Sequence, residues 1–415
     1  MRTLRLVIAS IALATVLAGC DSHDDSVRVG VLYPLTGPQG MQGTEEARGV
    51  GLAADWANDH GGVNGDRIKL ERVDTPRAEA VPAAMTRLAN NGIRVVVGSH
   101  GSAVSAAAGE AATKNDMVFW ETGAVGQLAP DVAGGSNFFR LAPMGANLGG
   151  AAIDFLTHTL QPKLGVDRPL RIAVANVDDA YGRAVADGAA ARITDNGAEL
   201  AGRIIYPLTG SDYDALADRI GDTHPDALFV AAYLDDGVAL REATVRHHIH
   251  LAASIGTSSS YCHPAFGDRL GTDAVGLFAS DKPDAADVRA DALTPEGRRS
   301  LEWARDRYKD RYHADMSAPA LSGFSNAYAL FVHVLPNAGS MKPADLAAAA
   351  LATKLPEGAL ANGAGVDLAP PGQPDAGANR AAAGVIWEWV APKTRAVVWP
   401  PAYATHPIVV LPLAA

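Results

Sequence analysis

The sequence alternates apolar or β-branched runs with amphipathic segments in two successive series, and this alternation constrains the fold more than any other feature. The first series begins near residue 27, and the second restarts after a glycine-containing segment at 143–150. Strands and helices that alternate at this spacing favour parallel sheets covered by helices on both faces. Two series of similar size in a chain of 415 residues therefore predict an α/β protein with two similar lobes.

The most informative single stretch is the strand, turn and helix at 94–115. Residues 95–97 predict a buried strand, residues 98–101 a tight turn, and the alanine-rich segment that follows predicts a helix with Ser102 as its N-cap. The free N–H groups of such a turn and the helix dipole can receive an anion such as a carboxylate. An ordinary capped helix fits these residues as well, so the stretch alone does not establish a site.

The first twenty residues predict export and lipidation. Two arginines precede an apolar run at 6–16 that is too short to span a bilayer, which is typical of a signal peptide. Small residues directly before Cys20 resemble a bacterial lipoprotein cleavage site, which implies a diacylglyceryl group on its sulfur. We therefore expect removal of residues 1–19. The two acyl chains on Cys20 would then hold the protein stably on a membrane. Residues 20–26 would then form a tether on the outer face of the bacterial cytoplasmic membrane, in the periplasm or at the cell surface.

The net charge argues against a nucleic-acid-binding protein, and the cysteine content argues against a protein held together by disulfides. The chain carries 46 acidic against 35 basic residues, and removal of the signal peptide takes away two of the arginines. Such a surface repels phosphate backbones, so we expect no nucleic-acid partner. With Cys20 lipidated, Cys262 is the other cysteine of the chain and no intramolecular disulfide is possible.

Five short segments occur in a specific order along the chain. They are Val-Gly-Val-Leu-Tyr-Pro-Leu-Thr-Gly at 29–37, Gly-Gly-Val-Asn-Gly at 61–65, Val-Gly at 97–98 leading to Ser102, Asp-Asp-Ala-Tyr-Gly at 178–182, and Pro-Asp-Ala-Leu-Phe-Val-Ala-Ala-Tyr at 225–233. Together they resemble the leucine/isoleucine/valine-binding family of bacterial periplasmic binding proteins, the type I solute receptors of ABC importers. The resemblance covers nearly the whole chain after the signal peptide.

This resemblance implies two Rossmann-like lobes with parallel sheets, joined by three chain crossings that act as a hinge. The ligand would lie in the cleft between the lobes, which close over it. The implied division is a first lobe at 27–143 plus 282–383 and a second lobe at 144–281 plus 384–415. The crossings would fall close to the boundaries of these ranges.

The resemblance also implies the residues that contact the ligand. They are expected in turns of the first lobe, at two tyrosines of the second lobe and at the position of the family's ammonium-binding acid: Ser102, Thr122, Gly123, Ala124, Tyr181, Tyr233 and Ser258. Ser102 matches the serine that hydrogen-bonds the ligand carboxylate in the family, in agreement with its place at a helix start. Ala124 stands where the family has a threonine, and an aromatic residue expected near Gln42 is absent.

Ser258 affects the prediction of the ligand most, because the family has an acid near this position. A buried ammonium group without an anionic partner is costly. An amino-acid ligand would therefore need a replacement carboxylate, for which Glu121, Asp235 and Asp236 are the candidates. Otherwise the ligand is an amide, a small acid or another metabolite without the ammonium.

Two pairs and one cluster of residues suggest chemistries other than ligand binding, namely hydrolysis and metal coordination. Ser102 beside His100, and Cys262 beside His263, suggest a secreted hydrolase, but neither pair lies in a Gly-x-Ser-x-Gly turn. A histidine cluster at 247–250 suggests a metal site, but a helix end explains these residues equally well.

The sequence thus predicts a substrate-binding lipoprotein of an ABC importer rather than an enzyme. It would capture a small polar ligand, either a branched-chain or other amino acid or a related amide or acid. We expect a monomer that binds the permease subunits and the membrane, the latter through the lipid on Cys20, and that uses no metal or other cofactor. The main alternative is a ligand-sensing receptor of the same fold without transport.

Overall fold

The computed structural model describes residues 26–126, 137–257 and 259–414. The predicted signal peptide, Cys20 and Ser258 lie outside these ranges. The strands, in chain order, are β1 Ser26–Tyr33, β2 Arg67–Asp74, β3 Val95–Gly98, β4 Val118–Glu121, β5 Phe138–Arg140, β6 Arg171–Val177, β7 Glu199–Tyr206, β8 Ala227–Ala231, β9 Ala253–Thr257, β10 Phe278–Asp281, β11 Lys354–Leu355, β12 Val366–Asp367, β13 Val385–Ala391 and β14 Thr394–Trp399.

The main helices, in chain order, are α1 Gly40–Asp59, α2 Val81–Asn90, α3 Ser102–Lys114, α4 Gly145–Asp154, α5 Ala180–Asp195, α6 Tyr213–Gly221, α7 Leu234–Arg246, α8 Pro264–Leu270, α9 Pro295–Tyr312, α10 Ala318–Tyr328 and α11 Pro343–Ala352. Helices α4 and α10 each continue into a π-helical turn, Phe155–Leu160 and Ala329–Val334. None of the described helices combines the length and the apolar character that a membrane crossing requires.

The strands form two large sheets, as the alternating pattern predicts. The first has the order β2-β1-β3-β4-β5 and is parallel throughout. The second has the order β14-β13-β10-β9-β8-β6-β7, in which β10 to β7 are parallel and the hairpin β13–β14 adds antiparallel strands at one edge. The alternating apolar residues at 385–390 and 396–399 are typical of such a hairpin. We call each sheet, with the helices packed on it, a lobe.

Both faces of the first sheet are buried, which explains its continuous apolar strands. Successive side chains of a strand point to opposite faces. Phe119 accordingly packs in the core beneath α2 and α3, whereas Trp120 packs in the core beneath α1 and α10. Because each face is covered, all four residues of β3 and all four of β4 are buried.

The chain passes between the two sheets three times. It leaves the first sheet after β5 and enters the second lobe at α4, where Leu148 belongs to the second core. It returns after β10, since Ala285 and Val288 belong to the first core. It crosses again before β13. Two parallel-sheet lobes joined by three crossings are the fold class that the sequence predicted.

Each lobe contains a pair of helices whose backbones meet at glycines. In the second lobe, a Cβ on Gly149 of α4 would lie 2.1 Å from the backbone oxygen of Val185 in α5. In the first lobe, a Cβ on Gly49 of α1 would lie 2.0 Å from the backbone oxygen of Ala320 in α10. Glycine is therefore required at these positions by close packing, not by backbone conformation.

One local expectation was wrong. Ser102 does not cap α3 as predicted, because the helix begins at Ser102 itself and the extended residue before it, Gly101, takes the N-cap position. The hydroxyl of Ser102 accepts a hydrogen bond from the backbone N–H of Gly126 instead, at 3.0 Å. The serine thus joins the start of α3 to the end of the turn after β4.

The glycine contact between α4 and α5 gives a direct test of packing. We expect Gly149→Ala to lower the free energy of unfolding by about 1–3 kcal/mol, because its Cβ would collide with backbone that cannot move independently. The matched control is Gly150→Ala in the same helix, where the nearest atom outside the helix lies 3.6 Å away. Urea denaturation followed by circular dichroism compares the two. Equal stabilities of the two variants would contradict the assigned packing.

Candidate functional site

A buried carboxylate, Glu121, organises the edge of the first sheet where the site was predicted. Glu121 ends β4 and is fully buried. It accepts the backbone N–H and the hydroxyl of Ser99, at 2.9 and 3.0 Å, and the backbone N–H groups of Gly123 and Ala124, both at 2.8 Å. One side chain therefore holds the turn after β3 and the turn after β4.

A buried cation lies opposite this carboxylate in the sheet. Arg140 of β5 is the register partner of Glu121 and is 3% exposed. Burial lowers the pKa of Arg140 to about 10, whereas the charge of Glu121 acts in the opposite direction. The guanidinium therefore stays protonated at neutral pH, and the two charges partly compensate each other.

A second buried acid, Glu46 of α1, faces the same turn. Thr122 donates its hydroxyl to Glu46 at 2.6 Å, and the hydroxyl of Tyr33 lies 2.5 Å from that of Thr122. The ring of His100 contacts the other oxygen of Glu46 at 2.7 Å. Gly123 is close enough that a Cβ there would meet both Glu46 oxygens at 2.2 Å. The turn after β4 is thus packed between two carboxylates.

Because of these contacts, most polar groups of the turn after β4 already form hydrogen bonds within the protein. The N–H groups of Gly123 and Ala124 and the hydroxyl of Thr122 already bond carboxylates of the protein. The carbonyl of Gly123 accepts a hydrogen bond from Lys282 Nζ at 3.0 Å. Lys282 follows β10, so this bond ties the first-lobe turn to the second chain crossing. Whether the three residues contact a ligand stays a prediction.

The two predicted tyrosines lie side by side in the second lobe. The ring centroids of Tyr181 and Tyr233 are 5.2 Å apart. The hydroxyl of Tyr181 lies 3.0 Å from that of Thr257, and Tyr233 donates to Asp179 at 2.7 Å. Burial raises the pKa of both tyrosines, so both stay neutral. Their hydroxyls are engaged within the lobe, which leaves ring surface as their contribution to a cleft.

The lobes approach each other where Ser102 lies. A Cβ on Gly126, the residue that donates to Ser102, would lie 3.5 Å from the backbone oxygen of Ala180. Ala180 is the first residue of α5 in the second lobe. Ser102 and the start of α5, where Tyr181 lies, are therefore near one junction between the lobes. That both residues contact a ligand stays a prediction.

A cavity of about 430 Å³ opens between residues of the two lobes. The described residues that were predicted to bind the ligand are not among those that line it: Ser102, Thr122, Gly123, Ala124, Tyr181 and Tyr233. Residues of the first lobe face residues of the second across it, namely Met41, His100 and Met316 against Cys262, His263 and Trp387. The second crossing contributes Asp281 and Lys282. We call this space the interlobe cavity. It has the size of a small-molecule site and a wall that combines apolar and charged groups.

A family model described as a periplasmic binding protein matches residues 26–380. The chain belongs to the periplasmic binding protein family. This result confirms the resemblance that the sequence motifs indicated.

Individual relatives agree with this assignment. The Leu/Ile/Val-binding protein homolog 8 of Brucella suis biovar 1 (strain 1330) is 29% identical over 379 residues, which cover 88% of this chain and 90% of that protein. The leucine binding protein LivK of Thermotoga maritima superposes with a TM-score of 0.71 at 19% identity, covering 89% of this chain and 97% of that one. A solute binding protein from R. palustris in complex with benzoate gives 0.70 at 16% identity, covering 93% and 99%. At these identities the two structures establish the fold alone.

The candidate replacement acids of this periplasmic binding protein are engaged elsewhere. Glu121 bonds the two first-lobe turns, as described above. The side chain of Asp235 is 92% exposed and pairs with Arg269. Asp236 is buried and accepts a hydrogen bond from Tyr206 at 2.8 Å. None of the three lines the interlobe cavity.

Sequence reasoning missed several residues of the cavity wall, above all Asp281 and Lys282. A signal for both existed, because they lie at the end of a strand at one of the predicted crossings. Cys262 was considered only as a nucleophile, whereas in the structure its thiol donates to Asp281 at 3.1 Å. Burial and the nearby charge of Asp281 raise the pKa of Cys262, which favours the neutral thiol over the reactive thiolate.

The described residues give little support to hydrolysis or to metal binding. The pair His100 and Ser102 does not form a nucleophile and base, because His100 contacts Glu46 while Ser102 accepts from Gly126. His247 lies at the end of α7 and contacts Asp214 and Asp218. In the described ranges, no three or more His, Cys, Asp or Glu side chains are grouped to hold a metal ion.

The role of Glu121 can be tested by an isosteric change. We expect Glu121→Gln to lower the free energy of unfolding by about 2 kcal/mol, because the amide nitrogen cannot accept the N–H groups that the lost oxygen accepted. The control is Glu110→Gln on an exposed position of α3. Chemical denaturation of both variants measures the difference. A loss no larger than that of the control would show that Glu121 does not hold the turns.

The buried Asp236 predicts a pH dependence of stability. Burial raises the pKa of Asp236 from 3.8 to about 6. Between these values the native protein keeps a proton that the unfolded chain has lost, so this group makes stability fall as the pH rises from about 4 to about 6. We expect Asp236→Asn to gain about 2 kcal/mol relative to the parent protein between pH 4 and pH 7. Urea denaturation at both pH values measures this, and a constant difference would contradict it.

Proposed function

We propose that this periplasmic binding protein captures a small polar ligand between its lobes and presents the closed form to the membrane subunits of an ABC importer. The observation that carries the proposal is the interlobe cavity, whose walls come from loops of both lobes and from the crossing between them. A ligand that contacts both walls stabilises the closed arrangement over an open one. Binding of this kind needs no catalytic group, in line with the engaged states of His100 and Cys262.

We further propose that the ligand presents an acid or carbonyl group to the start of α3. Ser102 and the N–H groups of the first helical turn lie there, and the helix dipole favours negative charge. The rings of Tyr181 and Tyr233 would supply the opposite surface, and Ser258 remains a predicted ligand contact. Thr122, Gly123 and Ala124 would shape the first-lobe wall, because their own polar groups bond Glu46 and Glu121.

The ligand class in this proposal is a branched-chain or other amino acid, or a related amide or acid. The names of the relatives support amino acids such as leucine, isoleucine and valine, whereas benzoate in one structural neighbour supports a wider range. The apolar part of the cavity wall, which includes Met41, Met316 and Trp387, suits a ligand with an apolar body.

The remaining parts of the proposal concern the whole protein. We propose an exported lipoprotein with its anchor on Cys20 and a tether at 20–26. The lobes would divide at 27–143 plus 282–383 and 144–281 plus 384–415. The protein would act as a monomer that binds the permease subunits. The lipoprotein motif and the family of the chain support these statements.

A thermal-shift screen of the purified protein tests ligand capture. We expect one or more members of a panel of amino acids, amides, small acids and sugars to raise the melting temperature, because a ligand that binds only the folded state adds about 2.7 kcal/mol at a hundredfold excess over its dissociation constant. Ser102→Ala should weaken the active ligand by about 1.5–3 kcal/mol if that ligand is an anion.

The exposed Glu110→Gln variant serves as the control for this screen and should bind as the parent protein does. Absence of any shift across the panel would contradict ligand capture. A hit whose affinity is unchanged in Ser102→Ala would retain ligand capture but remove the start of α3 as the anion site.

A further inference from the structure

One residue that lines the interlobe cavity, Asp281, has a buried carboxylate oxygen that no described residue satisfies. Asp281 ends β10 at the second crossing and is 6% exposed. Its Oδ1 is enclosed and has no hydrogen-bond partner among the described residues. Its Oδ2 accepts the thiol of Cys262 at 3.1 Å. A buried acceptor without a donor is unfavourable, and more so when it carries charge.

The cations nearest to Asp281 are directed elsewhere. Lys282 Nζ donates to the carbonyl of Gly123. Arg395 donates to Asp284, and its guanidinium lies 4.3 Å from the ring centre of Trp387. These charges moderate the field at Asp281 but do not bond its Oδ1. Among the described residues, no cation therefore bonds Asp281 Oδ1, although the residue lines the cavity.

Asp281 also differs from the other acids of the wall in its pairing. Four acidic residues line the cavity, Glu45, Asp281, Asp284 and Asp315. Three of them pair with cations, Glu45 with Arg48, Asp284 with Arg395 and Asp315 with Lys309, whereas Asp281 forms no salt bridge with any described residue.

A second residue with an unsatisfied buried acceptor lines the same cavity from the other lobe. Gln42 lies in the first turn of α1, and its amide oxygen Oε1 is enclosed without a hydrogen-bond partner among the described residues. A protonated primary amine carries three N–H donors, so one such group can satisfy more than one acceptor. Neither a carboxylate nor an ether on the ligand can do so.

We propose that Asp281, with Gln42 on the opposite lobe, forms a subsite for a protonated amine of the ligand at the hinge end of the interlobe cavity. This inference rests on the proposed ligand-binding function and specifies its chemistry. It assigns the missing anionic partner to the second crossing rather than to Glu121, Asp235 or Asp236. The ligand class becomes a compound with an apolar body and one ammonium group.

The proposal also links binding to closure. Asp281 belongs to the crossing through which the lobes move, and Gln42 belongs to the first lobe. An ammonium group held by both would bring a first-lobe helix and the hinge together. Ligands that lack the amine would lose this contact and bind more weakly, even where their apolar bodies match.

Matched pairs of ligands test the subsite in the full protein. The pairs are L-leucine with L-2-hydroxy-4-methylpentanoate, and 3-methylbutylamine with 3-methylbutan-1-ol, each measured by thermal shift and isothermal titration calorimetry. We expect the amine of one or both pairs to bind at least about tenfold more tightly than its hydroxyl partner. Asp281→Asn should remove this preference, and Gln42→Leu should reduce it. Asp235→Asn, at an exposed acid, is the matched control and should keep it.

The outcomes separate this inference from the function on which it rests. Equal binding of amine and hydroxyl ligands, or an amine preference that survives in Asp281→Asn, overturns the cation subsite and leaves ligand capture intact. Binding of none of the four compounds overturns the subsite as stated, while the wider screen still decides ligand capture. If Asp281→Asn does not fold, an unchanged preference in Gln42→Leu overturns the subsite, and a reduced preference supports it.

Discussion

The carboxylate of Glu121 fixes the edge of the first sheet on which the rest of the site depends. Two successive strands end here in turns whose N–H groups point away from the sheet, and buried N–H groups require acceptors. Glu121 supplies them for both turns, with Arg140 as its neighbour across the sheet. The protein thus fills with its own side chain an anion site that the backbone geometry would otherwise offer to a ligand. What remains for a ligand is the start of α3, at Ser102, and the interlobe cavity, which His100 of the turn before α3 lines.

The second chain crossing, besides connecting the lobes, bonds the turn that Glu121 holds. Lys282, at the crossing after β10, donates to the turn after β4, so the position of one lobe relative to the other affects the turn that Glu121 holds. Asp281, one residue earlier, opens into the interlobe cavity. A ligand that bonds this carboxylate would act directly on the segment about which the lobes move. Recognition and closure would then depend on the same few residues, which is a physical basis for presenting only the loaded form to a partner.

Much of the fold could be predicted from the sequence because it depends on local patterns. The β-branched run of β3, the alternation of strands and helices and the hairpin at 385–399 each have a clear period, and the family motifs fix their order. The N-cap at Ser102 was wrong because Gly101 is extended and takes the cap position, while the hydroxyl of Ser102 bonds Gly126, which lies 24 residues further along the chain.

The wall of the cavity could not be predicted in the same way. Glu121 has the same sequence context whether it points to a ligand or to its own turns, and only the three-dimensional contacts with Ser99 and Ala124 decide. Asp281 and Gln42 are far apart in the chain and belong to no motif, so their common cavity appears only when the lobes are assembled. The account can be tested most directly by a crystal structure of the protein with an amine ligand from the screen. It predicts density between the lobes, with the ammonium within hydrogen-bond distance of Asp281 and the opposite end near Ser102. Ligand density outside the interlobe cavity, or an ammonium that contacts neither Asp281 nor Gln42, would contradict it.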